Sequence, residues 1–119
     1  MITPVFRIFD YQQAYDFYIG WLGFRIDWEN RPSNGPVYLQ ISRGDIVLHL
    51  VGGPSTEVGS GSRVRAVING LMAYHHFLLK KDSSFTAPGL VKAEWDARVM
   101  EAEVIDPFGN HIVFAEACG

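Results

Sequence analysis

Tyr38-Leu39-Gln40-Ile41-Ser42-Arg43-Gly44-Asp45-Ile46-Val47-Leu48-His49-Leu50 spells out a hairpin. Two runs alternate apolar and polar residues around a turn that Gly44 keeps tight. The chain writes the same device again as Met100 to Ile105, the turn Asp106-Pro107-Phe108-Gly109-Asn110, and His111 to Glu116. There Pro107 presets the turn angle, and Gly109 or Asn110 tolerates positive φ. Working outward, each hairpin has the same prelude: a strand (Pro4 to Ile8, Arg63 to Ile68) and then a helix led by Asp10 or by Asn69. A duplicated half cannot bury its sheet face alone, so the halves are expected to share one structure with a concave site between them.

Asp10 is placed to cap the first helix, with Gln13 three residues on as in a capping box. Ala14, Phe17, Tyr18, Trp21 and Leu22 follow on one helical face, and Gly23 supplies a left-handed stop. Phe24 to Glu29 alternates and predicts a half-buried strand in which Trp28 is a core residue. The cluster Arg31 to Pro36 ends it. The second helix is expected to begin near Asn69 or Gly70, with Leu71, Tyr74, His75, Leu78 and Leu79 as its buried stripe and Lys80 and Lys81 at its negative end. Ser83 to Asp96 is irregular around Pro88-Gly89. The expected architecture is therefore α+β: one domain over residues 1–119, built of two βαβββ modules at about 1–51 and 62–116. A linker at 52–61 joins them, and a curved mixed sheet surrounds a cleft.

Strand alternation assigns the faces. Leu39, Ile41, Ile46, Leu48 and Leu50 pack on the first helix, and Tyr38, Gln40, Val47, His49 and Val51 look the other way. In the second half Ala102, Val104, Ile112 and Phe114 pack on the helix, while Glu101, Glu103, His111 and Val113 occupy the opposite face. Glu101 and Glu103 can serve as paired carboxylates or as cross-strand partners of Arg63 and Arg65. Trp95, beside charged residues, is a stacking platform or a plug between subunits. His75 and His76 are adjacent on a helix and cannot share a metal.

With 48% apolar and 19% charged residues this is an ordinary folded chain, and a net charge of −3 argues against nucleic acid. No stretch approaches the roughly 20 apolar residues of a membrane span. The single Cys118 cannot form an internal disulfide and fits a reducing cytosol. No Gly-x-Ser-x-Gly nucleophile motif and no phosphate-cradling glycine loop is present.

Arg7-Ile8-Phe9-Asp10 leading into Phe17-Tyr18 and Leu22-Gly23-Phe24, with the closing Asp106 to Asn110 turn, resembles the glyoxalase / bleomycin-resistance / extradiol-dioxygenase superfamily across essentially the whole chain. The resemblance implies metal-ligand positions at Thr3, His49, Arg63 and Val113, of which only His49 is a good ligand. It therefore points to the bleomycin-resistance branch. Tyr38-Leu39-Gln40, Arg43-Gly44-Asp45 and Ala93-Glu94-Trp95 also look like that branch. The implied function is a metal-free, non-catalytic, cytoplasmic homodimer with no cofactor. It would sequester an aromatic or cationic antibiotic or metabolite, such as a bleomycin-like compound, in clefts lined by Tyr38, His49, Trp95, Glu101 and Glu103. Trp95, Phe85 and, in the alternative to its core placement, an outward-facing Trp28 are the dimer candidates. The alternative is a glyoxalase-like lyase or dioxygenase with a divalent metal near His49 and His111. Arg25, Arg63 and Arg65, placed to enter the same cup, depart from a cation-binding lining.

Overall fold

The computed structural model describes residues 1–52, 61–81 and 84–117. Of the expected linker, residues 53–60 lie outside the described residues, as do Ser83 and Cys118. The strands are β1 (Val5–Arg7), β2 (Arg25–Asn30), β3 (Val37–Arg43), β4 (Ile46–Gly52), β5 (Arg63–Val67), β6 (Val91–Ala93), β7 (Asp96–Ile105) and β8 (His111–Ala117). Helix α1 (Tyr11–Tyr15) runs into a π-helical turn (Asp16–Trp21), and α2 is Leu71–Lys80. The fold is α+β, with two four-stranded mixed sheets of the same order, β1-β4-β3-β2 and β5-β8-β7-β6. In each, the first strand runs parallel to the last and the other neighbours are antiparallel. The chain divides into two compact units, Met1–Ser62 with Asp106–Asn110, and Arg63–Ile105 with His111–Gly119.

In the first unit Asp10 takes an extended conformation and its carboxylate accepts a hydrogen bond from the Gln13 amide at 2.9 Å, capping α1 as expected. Asp10→Ala is predicted to cost about 1 kcal/mol in urea unfolding; an unchanged midpoint would contradict the cap. The helix then widens where a regular α-helix was expected: the Leu22 amide reaches back to the Phe17 carbonyl, five residues away, at 2.9 Å. Gly20, a poor helix former, lies inside this turn. Gly23 takes the expected positive φ of 84°. Phe17, Tyr18, Trp21 and Leu22 are buried with Phe6, Leu39, Ile41, Leu48 and Leu50 as the predicted core face of the first sheet requires, while Ile46, at the hairpin end of β4, is only half-buried.

The turn Asp106–Asn110 is a polar knot in an apolar setting. Buried Asp106 accepts hydrogen bonds from the Phe108 and Asn110 amides, from Asn110 Nδ2 and, at 2.7 Å, from the Tyr18 hydroxyl. Asn110 Nδ2 also donates to the Arg7 carbonyl, and Gly109 supplies the positive φ. Burial, and then the Asp106 charge, push the Tyr18 phenol well above its ordinary range. Burial, and then the 2.6 Å bond to Glu29, raise Tyr11 to about 12. Both groups favour the protonated folded state. Their contribution to stability is complete below the ordinary tyrosine value of about 10 and is lost as pH rises through the folded values. Alkaline absorbance titration of the five tyrosines is predicted to show Tyr11 ionising near pH 12 and Tyr18 only on unfolding. Uniform ionisation near pH 10 would contradict this.

In the second unit Leu71, Tyr74 and Leu78 of α2 are buried, but of the rest of the expected stripe His75 is only half-buried and Leu79 is 56% exposed. The buried positions follow one another at spacings of three and four residues, a narrow seam that leaves Leu79 beyond its edge. Asn69 does not cap this helix. Gly70, with φ of 76°, is the cap residue, and the Glu116 carboxylate on β8 accepts the Gly70 and Leu71 amides at 2.8 and 3.0 Å. A negative group at a helix N-terminus meets unpaired donors and the positive end of the dipole. The segment Ser83 to Asp96, expected to be irregular, contains β6, held by pairing with β7. Phe85, expected to be exposed, is half-buried.

Candidate functional site

On the first sheet, β2 and β3 pair Ile26 with Ile41 and then Trp28 with Gln40, with the register shifting between them. This bulge at Asp27 decides the site. Without it Ile26 and Trp28, two residues apart, would share the core face; the extra residue turns Trp28 onto the opposite face. Trp28 is 46% exposed, which corrects its expected place in the core. An aspartate in mid-strand, a position the residue disfavours, is the signal that could have revealed the bulge.

Trp28 there meets Tyr38 and His49. The Trp28 and Tyr38 rings are nearly parallel (7°) with centroids 6.0 Å apart, and His49 presents an edge to both, 5.4 Å from Trp28 and 5.2 Å from Tyr38. A chain of hydrogen bonds holds this group. Gln40 Nε2 and Ser42 Oγ donate to Asp27 at 3.0 and 2.9 Å, and Arg25 adds a 3.2 Å ion pair. Gln40 then has its carbonyl oxygen toward His49 Nε2, at 3.0 Å. A carbonyl oxygen only accepts, so Nε2 carries the imidazole proton and Nδ1 accepts from the Tyr38 hydroxyl at 2.8 Å. The Gln40 and Ser42 bonds hold the Asp27 carboxyl below its usual range. Tyr38 and His49 thus share a face as expected; Trp28, Gln40 and Asp27 are the members that alternation alone missed.

On the second unit, Glu101 and Glu103 share one face of β7: Glu101 pairs across β8 with Arg65, while Glu103 pairs at 2.9 Å with both Arg63 and His111. The partnership with Arg63 and Arg65 is the one expected from spacing. The Arg63 bond is the largest influence holding Glu103 below the usual carboxylate range. Val113, expected on this face, is on it but buried, as is Ala115, because the ion pairs bridge over β8 on either side of Val113. Trp95 lies in the turn between β6 and β7, 69% exposed, with the Arg65 guanidinium 5.4 Å from its ring centre.

The sequence model of a family described as glyoxalase superfamily protein matches residues 1–119. The chain belongs to the glyoxalase superfamily. Similar solved structures include a bleomycin-binding protein from Streptomyces verticillus complexed with copper(II)-bleomycin (21% identity, 99% of this chain and 94% of that chain, TM-score 0.71). They also include a bleomycin resistance determinant encoded on transposon Tn5 (20%, 98% and 97%, 0.72) and a glyoxalase family protein from Enterococcus faecalis (18%, 98% and 97%, 0.72). At these identities they show the glyoxalase/bleomycin-resistance fold. No curated protein matches the sequence significantly.

The positions at which glyoxalase-superfamily enzymes are expected to hold a metal do not fit one here. Both ring nitrogens of His49 are engaged by Tyr38 and Gln40, Arg63 carries a positive charge, and Val113 has no donor atom. Thr3 offers only a neutral hydroxyl. Among the described residues, no group of three or more His, Cys, Asp or Glu side chains comes together around a common point. No helix among them is long and apolar enough to cross a membrane.

Proposed function

We propose that this protein binds a small planar aromatic molecule and holds it without transforming it. The observation that supports this most strongly is the Trp28–Tyr38 platform, built on a bulge, braced by His49 and left open to solvent. Keeping an indole about half exposed forgoes apolar burial, and a stacked ligand would recover it. On the second unit, considered by itself, Trp95, Glu101 and Glu103 are proposed as ligand-contacting residues. Sequestration makes affinity, not turnover, the relevant quantity. The names of similar structures make a bleomycin-like antibiotic the first ligand to try. We place the protein in the cytoplasm as a homodimer, an assembly for which the exposed Val67, Val91 and Ile105 offer apolar surface. The alternative of a metal-dependent lyase or dioxygenase would require His49 to surrender Tyr38 or Gln40, and no observation favours it.

Titration with bleomycin and with smaller planar aromatics, followed by tryptophan fluorescence and melting temperature, tests the reading. At a ligand concentration about 100 times Kd, stabilisation of roughly 2.7 kcal/mol is expected. Unchanged fluorescence and melting across the series would contradict it.

A further inference from the structure

We propose that the molecule taken by the Trp28–Tyr38 platform carries no positive charge. This rests on the binding reading above and narrows it, against the cationic ligand that family resemblance suggests. The chain is acidic overall, with a net charge of −3, but the polar face of its first sheet is not. On the first sheet, Arg25 and Asp27 meet on the face that carries Gln40, Ser42 and His49. Asp27 is already occupied by Gln40, Ser42 and Arg25. His49 has no lone pair to offer, since Nδ1 accepts from Tyr38 and Nε2 donates to Gln40. A cationic ligand would have to compete with Arg25 for Asp27, and displacing it would leave that arginine unmatched.

The ring geometry agrees with the charge balance. Trp28 and Tyr38 form an offset parallel stack, 6.0 Å between centroids and 7° between planes, which with a half-exposed indole offers a flat ring face and not a cage. A cation above one exposed ring gains little compared with one enclosed and desolvated. A flat uncharged ring system gains both apolar burial and stacking on the exposed indole.

Calorimetric titration with quinoline, uncharged near neutral pH, and with N-methylquinolinium, the same ring system with a fixed positive charge, tests the proposal. Quinoline is expected to bind at least about tenfold more tightly. Its affinity is expected to change less than about twofold between roughly 50 and 500 mM salt. Trp28→Ala is expected to abolish the difference. Equal or tighter binding of N-methylquinolinium to the wild-type protein, lost in Trp28→Ala, would overturn the charge assignment and leave the binding reading standing. No binding of either compound, or quinoline binding unchanged in Trp28→Ala, would overturn both.

Discussion

Asp106→Ala is expected to destabilise the protein by about 3–5 kcal/mol, measured as the loss of unfolding free energy in urea. Asp106 is 4% exposed and accepts from four donors: the Tyr18 hydroxyl, the Phe108 and Asn110 amides, and Asn110 Nδ2. Alanine leaves these donors buried without their acceptor, and each unsatisfied group costs roughly 1–3 kcal/mol before relaxation. Tyr18→Phe removes only one of the bonds and is expected to cost about 1–2 kcal/mol. A loss below about 1 kcal/mol for Asp106→Ala would show that water or a rearranged turn replaces the carboxylate.

Trp28→Ala is expected to weaken quinoline binding about 10- to 100-fold while costing the fold less than about 1.5 kcal/mol. The indole is 46% exposed, and its described ring contacts are Tyr38 and His49, so little of the core depends on it. Asp27→Ala is expected to weaken the same binding with Trp28 still present. It removes the carboxylate that anchors Gln40, and through Gln40 the imidazole that braces Tyr38. A Trp28→Ala protein that melts far below the wild type would mean the indole is structural after all. Unchanged quinoline binding would move the ligand elsewhere.

Features carried by neighbouring residues were legible before any coordinates. The Asp10 cap, the Gly23 stop, the tight turn at Gly44 and the alternation of β3 and β4 each depend on a few consecutive side chains. The same alternation put Tyr38 and His49 on the face away from the core. Features carried by pairing across the chain were not. The bulge that turns Trp28 outward exists only in the register between β2 and β3. The cap of α2 comes from Glu116, 45 and 46 residues from the amides it receives. Strand β6 is three residues long and is defined by β7 rather than by its own pattern. The brace on His49 is likewise invisible locally, because it joins residues on three strands.

The indole N–H signals of the three tryptophans, Trp21, Trp28 and Trp95, followed by nuclear magnetic resonance during a quinoline titration, test the platform most directly. Stacking on the first sheet predicts a saturating shift of the Trp28 signal, with buried Trp21 unmoved. A Trp28 signal that stays fixed at concentrations where quinoline shifts other resonances would contradict it.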